Sequence, residues 1–181
     1  MFINIEDIKG EPLVVEFEEA AGEFPELLEL TASGECKFQG PIKTHLSMVR
    51  IESMVEVEGR VEVDALLACS RCLDEFAAKI SGSFSLTFAR ELPEVDTDED
   101  EIEISAEEMG LILYSDDRID LREAVQQEVV MALPLRPLCD SRCKGLCPQC
   151  GANLNKEHCD CRKNDFSIKF SALKDFKVDK D

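Results

Sequence analysis

Six of the chain's nine cysteines lie between Cys139 and Cys161, and thiols at that density hold a chain together either as disulfides or around a shared ion. They are Cys139, Cys143, Cys147, Cys150, Cys159 and Cys161, and a further Cys-x-x-Cys stands far upstream at Cys69-Ser70-Arg71-Cys72. The centre of the cluster, Cys147-Pro148-Gln149-Cys150-Gly151, is a turn that points two sulfurs the same way and leaves backbone N–H groups to donate to them. Gly151 permits the positive φ that tightens such a turn. That arrangement suits a soft, tetrahedral divalent ion, most often zinc. The compartment decides between ion and disulfide. No basic segment precedes an apolar run in Met1-Phe2-Ile3-Asn4-Ile5-Glu6-Asp7, so no secretory signal is expected. No apolar run approaches the roughly 20 residues that span a bilayer. The expected setting is the cytoplasm, where thiols stay reduced and clustered cysteines favour metal.

The cysteines group in pairs: Cys69/Cys72, Cys139/Cys143, Cys147/Cys150 and Cys159/Cys161, with Cys36 left over. A four-thiolate zinc site takes two pairs, so two structural Zn2+ ions are expected. In one scheme Cys147, Cys150, Cys159 and Cys161 close a site locally, and Cys69, Cys72, Cys139 and Cys143 form the other. In the rival scheme Cys139, Cys143, Cys147 and Cys150 share one ion, leaving Cys69/Cys72 and Cys159/Cys161 to each other or free. His158 is a possible substitute ligand in either, although a lone loop histidine is more often simply solvated.

Around these pairs the chain reads as an α+β protein. Leu13–Phe17 is a short strand, 20–25 a loop, 27–38 an extended stretch, and Gly40-Pro41 a turn before β-like sequence begins at Ile42. Val55, Val57, Gly59, Val61, Val63, Ala65 and Leu67 alternate with charged residues from Glu56 to Asp64. Phe76, Ala78, Ile80, Gly82, Phe84, Leu86 and Phe88 alternate with small polar residues after Cys72. Each run is a half-buried antiparallel strand, which puts Cys69–Cys72 at the tip of a hairpin. The segment from Glu91 to Glu108 holds ten carboxylates and no basic residue, the composition of a solvated, mobile linker rather than a docking arm or nucleic-acid mimic. Leu111–Tyr114 is a possible short strand. Residues 119–133 read as a helix capped by Asp120 and Glu123, with Leu121, Ala124, Val125, Val129, Ala132 and Leu133 on its apolar face and Pro134 stopping it. Phe166 to Phe176 reads as a short helix or extended tail. The expected organisation is an antiparallel β domain at 1–90, barrel-like or strongly curved, an acidic linker at 91–118, one main helix at 119–135 packing on the sheet, and a cysteine-rich metal-binding module at 136–181.

The net charge of −19 is uneven. Residues 1–135 carry 10 Lys/Arg against 32 Asp/Glu, or −22, whereas 136–181 carry 10 against 7, or +3. The body should repel nucleic acid, and only the C-terminal quarter could approach it, through Arg136, Arg142, Lys144, Lys156, Arg162 and Lys163.

From about Gly59 onward the chain resembles the bacterial YceD family, named for large ribosomal RNA subunit accumulation. The residues that carry the resemblance are Cys69-Ser70-Arg71-Cys72-Leu73, Asp120-Leu121, Ala132-Leu133-Pro134, Pro137-Leu138-Cys139, Cys143 to Gly151, Asn153-Leu154-Asn155 and Cys159-Asp160-Cys161. Residues 1–45 match little beyond a general β character. The resemblance implies a cytoplasmic, non-enzymatic factor in the synthesis, processing or stability of large-subunit (23S) ribosomal RNA. The large-subunit precursor is then its partner, met through RNA, a basic ribosomal protein or both, with no membrane and no small-molecule substrate.

Other functions leave recognisable signs. A thiol oxidoreductase using Cys69 and Cys72 would need an accessible, low-pKa sulfur, usually at the start of a helix, and no helix pattern follows Cys72. A hydrolase or nuclease finds only His45 and His158 and no nucleophile motif. An acidic adaptor that binds a basic protein without touching RNA is the remaining alternative, supported by the charge of the body.

Overall fold

Two strands of 15 residues each, β5 (Met54–Ala68) and β6 (Glu75–Ala89), pair antiparallel along their whole length and set the frame of the molecule. The computed structural model describes residues 1–91 and 110–161. The acidic stretch after Glu91, the tail around Phe166–Phe176, and Arg162 and Lys163 lie outside the described residues.

The alternation in β5 and β6 is realised. Val55, Val57, Val61, Val63, Ala65 and Leu67 are all buried, while Glu56, Glu58, Arg60 and Asp64 face solvent. Gly59 interrupts the valines because it pairs with Phe84, whose ring fills the space a Cβ would need. Strand β4 (Pro41–Ile51) pairs antiparallel with β5, and β2 (Leu13–Ala20) with β4. Strand β3 (Cys36–Phe38) runs beside Ala65–Leu67 of β5, beyond the part of β5 that β4 covers. Strand β7 (Leu111–Leu113) lies parallel to the last residues of β6. Among the described residues the order β2-β4-β5-β6-β7 has two free ends, so the curved sheet is open rather than a closed barrel. A separate ribbon pairs β1 (Phe2–Asn4) with β8 (Arg118–Asp120).

Among the described residues two α-helices cover the apolar face. Helix α2 (Arg122–Ala132) presses Val125 and Val129, together with the preceding Leu121, into the core. It begins later than the sequence pattern predicts, because 118–120 are taken by the β1–β8 ribbon. Asp120 still accepts the Arg122 N–H (3.0 Å), whereas Glu123 pairs with the Gln127 side-chain amide (3.2 Å) rather than completing a capping box. The other helix corrects the expectation of an extended stretch over 27–38. Residues Pro25–Ser33 form helix α1, with Pro25 in its first turn and Gly34 (φ +81°) ending it in the left-handed conformation. Its N-terminus has no local side-chain cap. The Glu26 N–H instead donates to Gln126 Oε1 of α2 (3.1 Å), a group 100 residues away. Phe24 and Leu27 are wholly buried there. Among the described residues no helix is long and apolar enough to cross a membrane.

Candidate metal centres

The β5–β6 hairpin ends in a tight loop in which the Cys69 N–H bonds the Asp74 carbonyl (2.9 Å) and the Leu73 N–H bonds the Cys69 carbonyl (2.9 Å). Cys69 and Cys72 are buried inside it, 0% and 3% exposed. The chain leaving α2 lies against this loop. Ser70 donates its N–H to the Pro137 carbonyl (2.8 Å), Leu146 donates to the Arg71 carbonyl (3.0 Å), and the Arg71 guanidinium donates to the Cys143 carbonyl (2.9 Å). Gly145 (φ +76°) makes the close passage possible, since a Cβ there would stand 3.0 Å from the Arg71 oxygen.

These contacts bring Cys139 and Cys143 to the hairpin tip. The sulfurs of Cys69, Cys72, Cys139 and Cys143 all lie within 4.8 Å of one another, with Cys69–Cys143 at 3.8 Å and Cys72–Cys139 at 3.6 Å. A tetrahedron with metal–sulfur bonds of about 2.3 Å has edges of about 3.8 Å, so the spacing fits a four-thiolate site. Phe76, Leu138 and Leu146 pack around it.

A second quartet, Cys147, Cys150, Cys159 and Cys161, meets the same 4.8 Å limit. Its Cys147–Cys150 knuckle is closed by Gly151 N–H to the Cys147 carbonyl (2.9 Å) and Cys147 N–H to the Ala152 carbonyl (2.8 Å), with Gly151 at φ +77° as the sequence predicts. The described residues therefore group the thiols in the first scheme and not the rival one. His158 does not join either quartet. Its ring is 90% exposed and lies 3.6 Å from Asp160.

Charge within each quartet is uneven. Backbone N–H groups, first that of Cys139 and then those of Cys72 and Arg71, outweigh burial and pull the Cys69 thiol down to about 6. The N–H groups of Cys150 and Gln149 do the same for Cys147, also to about 6. Loss of water and then the neighbouring Cys72 and Cys69 sulfurs push Cys139 up to about 12, and the Cys150 sulfur followed by desolvation pushes Cys161 up to about 12. Each quartet thus combines one thiol shifted toward the thiolate and one shifted away from it. A thiolate held below its ordinary value of 9 stabilises the fold fully above pH 9, and that contribution is lost as pH falls through about 6. Metal affinity should therefore rise with pH. Release to a chromogenic chelator should be slow at alkaline pH and faster as acid competes with the ion for the sulfurs; a release rate that is flat with pH would contradict the thiolate ligand set.

The basic residues are divided. Arg136, Lys144 and Arg142 (side chain 92% exposed) face solvent, Arg142 Nε standing 3.9 Å from Asp140, whereas Lys156 is paired with Asp74 (2.9 Å). Sequence reasoning missed Asp74 and left Asn153 and Asn155 without a role. The available signal was an Asx pair spaced i, i+2 in a loop between two ligand pairs, a pattern that bonds its own backbone.

Comparisons place the chain among known sequences. The model of the family described as "Large ribosomal RNA subunit accumulation protein YceD" matches residues 57–177, a span that includes both quartets. The Arabidopsis thaliana protein "Large ribosomal RNA subunit accumulation protein YCED homolog 1, chloroplastic" is 28% identical over 144 residues, covering 69% of this chain and 45% of that one. Uncharacterized proteins of Mycobacterium bovis and Mycobacterium tuberculosis are 36% identical over 89 residues, 49% of this chain and 40% of theirs. The chain thus spans less than half the length of these relatives. No solved structure gave a significant match.

Proposed function

The chain belongs to the YceD family of large ribosomal RNA subunit accumulation proteins, and from that premise we propose that it is a non-enzymatic, cytoplasmic factor supporting the synthesis, processing or stability of large-subunit ribosomal RNA, with two structural zinc ions. The observation that carries this reading is the family match over 57–177, which contains all eight paired cysteines. Zinc is the ion that closed, four-thiolate sites most often hold, and a catalytic zinc would keep an open position. Thiol exchange is disfavoured because its nucleophile must be reached by a substrate, and Cys69 and Cys72 are 0% and 3% exposed.

The working contact is assigned to the C-terminal part, where Arg136, Arg142 and Lys144 face solvent beside the quartets. Four thiolates and one divalent ion leave each centre at −2, so net attraction for RNA is modest. Binding should be shape-driven and salt-dependent rather than base-specific. The −22 body supports a second reading, an adaptor that holds a basic ribosomal protein and makes no RNA contact.

Cells lacking the gene should lose large-subunit relative to small-subunit ribosomal RNA. An Arg136→Glu, Arg142→Glu, Lys144→Glu variant should keep its zinc yet fail to restore the ratio. Lys156 is left intact because its charge serves Asp74. Full restoration by the zinc-loaded variant would reject the C-terminal contact, and an unchanged ratio in the deletion would reject the function.

A further inference from the structure

Asn155 lies in the loop closed by the second quartet, but its side chain reaches the first. Its Nδ2 donates to Cys143 Sγ (3.2 Å), and its Oδ1 accepts the Lys144 backbone N–H (2.8 Å). A backbone N–H can only donate, so it fixes the amide with oxygen toward Lys144 and nitrogen toward the sulfur. A thiolate, which can only accept, is the partner that orientation suits.

The same loop grips the other half of the first quartet through Asp74. Asn153 Nδ2 donates to Asp74 Oδ2 (2.8 Å), and Lys156 Nζ pairs with Asp74 Oδ1 (2.9 Å). The Asp74 carbonyl holds the Cys69 N–H (2.9 Å), and its carboxylate stands 3.7 Å from Cys72 Sγ. Within the loop, Asn153 Oδ1 accepts both the Asn155 N–H (3.0 Å) and Asn155 Nδ2 (3.0 Å), while the Asn153 carbonyl accepts the N–H groups of Lys156 (2.9 Å) and Glu157 (2.8 Å). Its two ends are Cys150 and Cys159, both in the second quartet.

We propose that residues 153–156 are a clamp through which the second centre sets the metal affinity of the first, with Asn155 as the positioning residue for Cys143. The inference rests on the metal reading above. With the second centre filled, the ends of the loop are fixed and its three side chains meet Cys143 and Asp74 already in place. With the second centre empty, those groups must be ordered at the moment the first ion binds, and the first ion binds less tightly. Coupling between two binding sites is reciprocal, so emptying the first centre weakens the second by the same factor.

The full chain loaded with cadmium in place of zinc should give one cadmium NMR resonance per centre, and competition with a chelator then reads each affinity separately. Partners that orient metal ligands typically govern about 10–100-fold in affinity, and Asn155→Ala should lower the affinity of the first centre by that order; the second, measured with the first filled, should fall with it, and should stay unchanged once Cys69→Ser, Cys72→Ser has emptied the first. A Cys159→Ser, Cys161→Ser variant should weaken the first centre although all four of its own ligands remain. Should Asn155→Ala fail to fold, Asn155→Asp keeps the volume and the bond to Lys144 but turns an acceptor toward the sulfur, and it should weaken the first centre as well. Two parent resonances with unchanged affinity at the first centre in these variants overturn the clamp alone. Weakening of the second centre by Asn155→Ala in the Cys69→Ser, Cys72→Ser chain, where the first centre is empty, overturns Asn155 as a residue specific to Cys143. A parent chain that binds no cadmium overturns the metal reading itself.

Discussion

Replacing Cys69 and Cys72 by serine is expected to reduce the metal content from two ions per chain to one and to free the segment after α2 from the hairpin tip. The first quartet draws its sulfurs from two places, the β5–β6 loop and residues 139–143, and an ion held there would be the strongest link between them. Structural zinc of this kind binds with apparent free energies of about 10–16 kcal/mol in small peptides, and binding to a site absent from the unfolded chain is folding free energy. What remains without an ion is a handful of hydrogen bonds, such as Ser70 to Pro137 and Leu146 to Arg71 between backbones, the Arg71 guanidinium to the Cys143 carbonyl, and Asn153 and Lys156 to Asp74. Hydrogen exchange should show the amides of Ser70 and Leu146 losing protection, while those of the central hairpin around Val57 and Leu86, held by β4 on one side and buried contacts beneath, keep theirs. Chelation of the unaltered protein should have the same effect. A parent chain carrying one ion or none would overturn the two-centre arrangement.

Phe24→Ala is expected to cost about 3–5 kcal/mol, the range for removing a fully buried phenylalanine. Phe24 is 0% exposed. Its ring belongs to the core shared with Leu27, and its carbonyl accepts the Leu28 N–H (3.0 Å) in the first turn of α1. For a chain of this size a loss of that order corresponds to roughly 6–20 °C in melting temperature. The denaturation midpoint should fall with its slope unchanged. Leu28→Ala is the control: Leu28 is 54% exposed, so its loss should stay within about 0.5 kcal/mol. If the two variants are equally stable, α1 is not anchored in the core as described.

How much of this was legible follows from where each constraint acts. The hairpin was legible because a strand side chain faces either the core or water, and Val55 to Leu67 write that choice into every second position. Helix α2 was legible in its apolar stripe but not in its start, since 118–120 are claimed by pairing with β1, at the other end of the chain. Helix α1 was not legible: it buries Leu27 and half-buries Leu30, too narrow a stripe to read, and the group that satisfies its N-terminus is Gln126.

The cysteines divide in the same way. Their pairing into Cys-x-x-Cys-type turns, the glycine after the knuckle, and the charge split between body and C-terminal quarter are local properties that the sequence by itself determined. Which pairs meet was decided by the tertiary structure. Sequence spacing allowed Cys139 and Cys143 to join either Cys147 and Cys150 or Cys69 and Cys72. The contacts that choose, Ser70 to Pro137, Leu146 to Arg71 and Asn155 to Cys143, join residues 67, 75 and 12 positions apart. Their geometry exists only once the hairpin and α2 have packed, because short-range preference fixes the shape of a turn and burial of the surrounding chain fixes which turn lies beside it.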